Sequence, residues 1–448
     1  MAVRSGATAP MSGMSGMWDG AQLEVITTDP TWVGPPVDPG ERHGLAVDSK
    51  SRVYAVYDRS PSGLLFFRYK DLGGSWSSEI PLPASPTDFP RAGVLVCPGD
   101  VPEFLYLEGG KYRTSYLVHA LFDFNSSQWT LDTIVRSTQE EWPSWIRIDV
   151  GADTLGGFHV VWEEPAWNDE LQAVSSRVMY AENTSGAWRT QVVAAIGGSP
   201  LLQVSSSGGT IISYHFRRDG HEYSVFATNR SRGDSVWTAD SIDTAPAIFG
   251  VSDMSLERDG TLHVLFTGMY CSSCYFVHPL FYTHRPPGSK VFEPWYQLYD
   301  HAGSSLLFVD CVGHAHAWYY WYDEEEIRRD MFYATNASGI WESQPFHFGE
   351  ISDDSRGYFA QMLDRFDQGR AVVNQWMDDE SMRLLYYAPP TVYFDVVDVV
   401  RVINHVYLGK SVCDPFTYDE DCSGSVDVAD LHWLINYAFM NGPKGCRF

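Results

Sequence analysis

Along most of this chain, apolar and polar positions alternate in short runs broken by turn residues, the pattern of half-buried strands. The stretch from Gly156 to Trp188, GGFHVVWEEPAWNDELQAVSSRVMYAENTSGAW, shows the unit. A tight turn leads into the strand FHVVW, a longer polar loop into SRVMYAE, and the turn NTSG into a Trp that opens a third strand. The phrase returns at a spacing of roughly 50 residues, a period that points to an array or a propeller.

Taken in order, each unit reads as four strands. The first runs 43–49, 52–57, 64–70 and 75–82, and the second 91–97, 103–108, 114–122 and 128–135. The third runs 145–150, 158–163, 176–182 and 187–194, and the fourth 201–206, 210–216, 223–228 and 236–242. The fifth runs 253–258, 262–267, 276–283 and 293–299, and the sixth 304–310, 314–321, 330–335 and 340–346. The seventh has 358–363, 370–376 and 382–388 and stops one strand short, while an orphan strand stands at 21–28. The orphan would supply the missing outer strand and close a ring with both ends in one blade. The pattern therefore predicts an all-β seven-bladed β-propeller over residues 18–390, preceded by a Gly/Ser/Met-rich segment, 1–17, expected to be disordered. Rings of six or eight are the near alternatives, because the second unit is the least regular. Tandem β-sandwiches would explain neither the three-strand ending nor the orphan.

Composition sharpens this in two ways. Aromatics make up 15% of the 448 residues, with 16 Trp and 25 Tyr, in keeping with β-rich repeats. A net charge of −26 removes nucleic acid from the candidate partners, since little here would displace phosphate counterions. It points instead to calcium or cationic partners. No apolar run is long enough to span a bilayer, and the N-terminal residues carry no apolar core of a signal peptide.

Some turns resemble a known motif. Asp71-Leu72-Gly73-Gly74-Ser75-Trp76, Asn183 to Trp188 and Asn336 to Trp341 resemble the Asp-box of sialidase-like propellers. In that family the box is a turn that pins the outer strands, remote from the site. Physical chemistry agrees: the Asn or Asp bonds its own turn, Gly takes a left-handed conformation and Trp packs between blades. Arg42 to Val47 also resembles the arginine-bearing first strand of sialidases, with His-Gly where that family has Ile-Pro.

Loop lengths single out one face. In a meandering blade, the first and third turns share one face; here they are short (SSGG, ERDG, NTSG, NASG). The opposite face carries EEPAWNDELQAVS, FRRDGHE, TGMYCSSCYFVHP, YDEEEIRRD, MDDES and STQEEWPS, and long loops on a rigid scaffold are the usual carriers of function. The candidates there are Glu163, Asp323 and Asp378 as catalytic carboxylates, with Asp58, Arg59, Trp167, Arg217 and Arg328 for ligand binding. Glu164, Arg218, Asp219 and Glu325 stand beside them. Paired acids flanking a glycosidic bond suit sugar hydrolysis, and aromatic rings stack on sugar faces. Solvated charge on an acidic protein is the plainer explanation for any one of them.

Cysteine and histidine add less. Cys271 and Cys274 lack the second CxxC of a zinc ribbon and read as a loop disulfide. His314 and His316 could pair as metal ligands on one strand face. Yet His159, His263 and His316 share one repeat position, which favours packing.

After Pro390 the period turns helical. Asp419 to Asp430 reads as a twelve-residue calcium loop, with ligands Asp419, Asp421, Ser423, Ser425, Asp427 and Asp430 and Gly424 at the sharp turn. The helix LHWLINYAFMNGP follows. Asp rather than Glu at the last position makes residues 391–448 resemble a type I dockerin module, whose two halves match here at Asp395/Asp427, Asp398/Asp430, Ile403/Ile435 and Asn404/Asn436. The first half lacks loop ligands, so the resemblance implies one Ca2+ and attachment to a cohesin-type scaffold, usually in polysaccharide breakdown. Cys422 could bridge to Cys446, with Cys413 competing, and calcium with disulfides suits an extracellular setting. The expectation is a tethered propeller that recognises or degrades polysaccharide, as hydrolase or lyase. The alternative is a non-catalytic glycan- or protein-binding propeller with a calcium-stapled cap.

Overall fold

The computed structural model describes the strands between Gln22 and Ala388 with some of the turns between them, and beyond them Val406, Val426, Val428, Ala429, Leu431, His432 and Ile435. Nearly all the expected strands form. Unit one is Leu45–Val47, Val53–Arg59, Leu64–Lys70 and Ile80–Pro81, with Val33–Gly34 added against Asp58 and Arg59. Unit two is Arg91–Cys97, Val101–Glu108, Ser115–Asp123 and Gln128–Ser137. Unit three is Ile148–Ala152, Phe158–Asn168, Ala173–Glu182 and Arg189–Ala194, and unit four is Gly198–Val204, Thr210–Arg218, His221–Asn229 and Thr238–Ser241.

Units five and six form one seven-stranded sheet because a single strand, Tyr296–Val309, ends one and begins the next. It pairs with His278–Arg285 through Tyr296 to Ala302 and with Ala315–Asp323 through Ala302 to Val309. The sequence reading had split this strand in two. Unit seven is Phe359–Leu363, Gly369–Trp376 and Met382–Ala388, completed by Gln22–Thr27 with Gln22 opposite Ala388 and Val25 opposite Leu385. The orphan strand therefore sits where expected. The first strands of successive units touch in sequence, and Phe359–Leu363 returns to touch Leu45–Val47, so the series closes on itself. This is a propeller-type, mostly-β architecture.

The core lies between units. Val160 and Trp162 of Phe158–Asn168 pack on Leu105 and Leu117 of unit two, whereas Val161 packs on Leu202 and Ile212 of unit four. A strand buried on both faces reads as a continuous apolar run, which is why FHVVW was so legible. Polar groups link neighbouring units as well. Asp149 accepts the Leu202 N–H at 2.5 Å, Gln203 accepts that of Leu256 at 3.2 Å, and Asp253 accepts that of Leu307 at 2.6 Å.

The turns resembling Asp-boxes behave nearly as argued. Gly186 and Gly339 are left-handed (φ 79° and 87°) and their N–H groups close onto the carbonyls of Asn183 and Asn336. The Asn side chains differ: Asn183 accepts the N–H of Phe158 and Asn336 that of Ala315, each pinning the adjacent strand rather than its own turn. Trp188 packs edge-on to His119 of unit two, and Trp341 onto Tyr282 of unit five.

One expectation needs correction. Three of the long "loops" joining second to third strands are largely strand, while most of TGMYCSSCYFVHP and all of MDDES lie outside the described residues. Phe158–Asn168 and Ala173–Glu182 extend the ladder through Glu164 and Trp167, and Thr210–Arg218 runs to His221–Asn229 across Asp219 and Gly220 alone. Asp323 pairs with Arg328. Charged side chains hid the ladder because they interrupt the apolar alternation of these hairpins, yet Asp-Gly is a strong two-residue hairpin signal. Among the described residues, no helix is long and apolar enough to cross a membrane.

Candidate functional site

The free end of unit three's first strand begins this site. Arg147 immediately precedes Ile148–Ala152, and its carbonyl accepts the Glu163 N–H at 3.2 Å. Glu163 lies on the second strand of the same unit and is almost fully buried, at 3% exposure. Its Oε2 accepts the N–H of Ser199, in the next unit, at 3.0 Å. Gly198 stands against this carboxylate so closely that a Cβ there would come within 3.2 Å of Oε1. Ser199 has a positive φ of 48°, an unusual conformation for a non-glycine residue.

Gly198 is in register with His215 on unit four's second strand. On the far side lies Gly250 of unit five, where a Cβ would be 3.6 Å from His215 Nδ1. The absence of a side chain at Gly250 leaves the partly buried imidazole room on that side. Burial first, and then the Arg147 charge, push His215 down to a pKa of about 4. At neutral pH it is an uncharged imidazole beside a permanent cation: the first can accept a proton, the second can hold an anion.

The residues expected from sequence fall into three groups. Glu163 is in the site, but its carboxylate is committed to Ser199. Glu164 accepts from Arg177 Nε at 2.7 Å, on the hairpin of the same unit. Asp58, Arg59, Trp167, Arg217, Arg218, Asp323 and Arg328 lie at strand ends on the expected face, with Asp58 opposite Leu65, Trp167 opposite Val174 and Arg217 opposite Glu222. Asp219, Glu325, Asp378 and all six expected calcium ligands, Asp419, Asp421, Ser423, Ser425, Asp427 and Asp430, lie outside the described residues. So do Cys271, Cys274, Cys413, Cys422 and Cys446. Val428 and Ala429, at the end of the expected loop, and Leu431, His432 and Ile435 beyond it are helical, with Leu431 buried.

Arg147 and His215 were missed. Arg217 and Arg218 drew attention to the right strand, while His215 was read as part of its apolar run. Aligning units would have revealed it: Asp58, Glu163 and His215 occupy the same step of units one, three and four, beyond the level of Tyr54, His159 and Ile211.

The three histidines that share a repeat position are structural. His159, His263 and His316 each place Nδ1 on a tyrosine hydroxyl of the third strand, Tyr180, Tyr282 and Tyr333, at 2.6, 2.7 and 2.5 Å. Among the described residues, no group of three or more His, Cys, Asp or Glu side chains is placed to hold a metal.

No family model and no curated protein matches this sequence. Solved structures do resemble the fold. An ulvan lyase, described as a new family of polysaccharide lyase and bound to -[GlcA(1-4)Rha3S]-, superposes with a TM-score of 0.54 at 10% identity, covering 81% of this chain and 94% of its own. The same coverage and TM-score hold for a structure of ulvan lyase without that description of a bound sugar, at 11% identity. The polysaccharide lyase Uly1 superposes at 0.50 and 11% identity, covering 78% of this chain and 90% of its own. At such identities the likeness is one of fold.

Proposed function

We propose that this chain is a seven-bladed, carbohydrate-active propeller that cleaves an acidic polysaccharide by β-elimination at the Arg147–His215 edge of the ring. The arrangement that carries the reading is His215, in register with Gly198 and bordered by Gly250, with burial and the Arg147 charge both disfavouring its charged form. A uronate carbanion forms only when its carboxylate is neutralised and a base takes the adjacent proton. Arg147 suits the first task and His215 the second. The proton passes to His215, the electron pair forms the C=C bond, the glycosidic C–O bond breaks, and the leaving oxygen takes a proton from solvent. Fold likeness to polysaccharide lyases supports the substrate class by analogy.

Hydrolysis by paired carboxylates fits less well, because the described candidate, Glu163, spends its carboxylate on the Ser199 amide. The test is product analysis after incubation with a panel of uronate-containing polysaccharides. An unsaturated uronate at the new non-reducing end supports elimination. Saturated ends would make the protein a hydrolase, and tight binding without cleavage would make it a binding module.

For residues 391–448 the proposal is a dockerin-like tether, extracellular and cohesin-directed, with one Ca2+ held by Asp419, Asp421, Ser423, Ser425, Asp427 and Asp430. The donor set is all hard oxygen, which fits calcium. Calorimetric titration of the full chain with Ca2+ tests it, with Asp427→Ala expected to remove the binding.

A further inference from the structure

Glu163 joins the two halves of the candidate site. Its N–H is bonded to the Arg147 carbonyl, so its backbone is fixed to the segment carrying the cation. Its side chain crosses to the next unit and takes the Ser199 N–H, one residue beyond the Gly198 that is registered with His215. Ser199 precedes Pro200 and holds a left-handed φ of 48°, a conformation that persists only where its surroundings impose it. The strand pairing is irregular between Gly198 and Leu201, so the ordinary ladder does not fix this segment. The Gly197 N–H holds the start of the segment to the Ser176 carbonyl at 2.8 Å, and the buried carboxylate holds Ser199 itself.

We propose that Glu163 is a positioning residue, setting the placement of His215 relative to Arg147 through the Ser199 amide. This rests on the reading of His215 and Arg147 as the reacting pair. A catalytic carboxylate needs its charge and its access to substrate; an anchoring one needs only an acceptor oxygen. Glu163→Gln keeps an acceptor for Ser199, Glu163→Ala removes it, and Gly198→Ala keeps Glu163 but puts a methyl group 3.2 Å from its oxygen.

The experiment follows the imidazole of His215 by NMR in the isotope-labelled full chain, together with the pH profile of elimination and thermal melting. In Glu163→Ala and Gly198→Ala, the segment relaxes and His215 gains water. Its midpoint is expected to rise by about one pH unit toward the ordinary value, and the acid limb of kcat to follow. Glu163→Gln is expected to stay within a few tenths of a unit and to keep most of kcat. If folded Glu163→Ala and Gly198→Ala leave the midpoint unmoved, the proposal is overturned. It is equally overturned if Glu163→Gln loses kcat as fully as Glu163→Ala while His215 titrates normally, which would make Glu163 catalytic. Should Glu163→Ala not fold, the Gly198→Ala and Glu163→Gln pair decides. A wild-type chain that makes no unsaturated product refutes the reaction, while the titration still judges the anchor.

Discussion

His215 and Arg147 illustrate how environment, rather than residue type, assigns a role. Three histidines that look equally suited to chemistry, His159, His263 and His316, are bonded to tyrosine hydroxyls and buried between units. His215 instead faces Gly250 and the charge of Arg147. His215→Ala is expected to lower kcat by about 100- to 10,000-fold, the usual worth of a general base, with little change in melting temperature. Acid stability belongs to this scale too. His215 and His263 are both held at about 4, below the ordinary 6.5. The unfolded chain therefore binds more protons between these values, so their contribution is present in full above about pH 6.5 and is lost as pH falls toward 4. Urea midpoints at pH 7, 5.5 and 4.5 should decline in that order, and replacing His263 by Gln should flatten the decline. The sequence showed the packing histidines through their shared repeat position. It hid the reacting one, because a single histidine in an apolar run carries no pattern.

At the scale of elements, legibility followed burial. Strands packed on both faces were found almost to the residue: Leu262–Gly268, buried at all but one position, was expected at 262–267. Three of the hairpins reaching from the opposite face were read as loops, since charged residues interrupt the apolar alternation while the backbone ladder continues. Continuity between units also escaped detection, because Asp300-His301-Ala302-Gly303 in the middle of Tyr296–Val309 reads as a turn although the strand runs through it. Two predictions test the account. Trp162→Ala empties the interface between units two and three and should cost about 3–5 kcal/mol by denaturant melting. Deleting residues 1–28 removes the partner of Met382–Ala388 and exposes a strand edge. The shortened chain should melt lower and self-associate in ultracentrifugation, whereas unchanged melting would show that closure through Gln22–Thr27 contributes little.

For the whole molecule, the ring holds residues distant in sequence at one edge: Arg147, Glu163, Ser199, His215 and Gly250 come from three successive units. No stretch of sequence contains the site, which is why the fold was legible and the site was not. Charge sets the approach of substrate. A protein with net charge −26 repels a polyuronate at long range, while Arg147 attracts its carboxylate at short range. Moderate salt, up to about 0.15 M, should therefore raise kcat/KM, the reverse of a basic binding protein. The central claim is elimination at the Arg147–His215 edge. Its most direct measurement is the time course of ultraviolet absorbance from unsaturated uronate ends, comparing wild type with His215→Ala on the same acidic polysaccharide. The account predicts a steady rise with wild type and almost none with the variant. Equal rates in the two proteins, or chain cleavage by wild type without the absorbance, would contradict it.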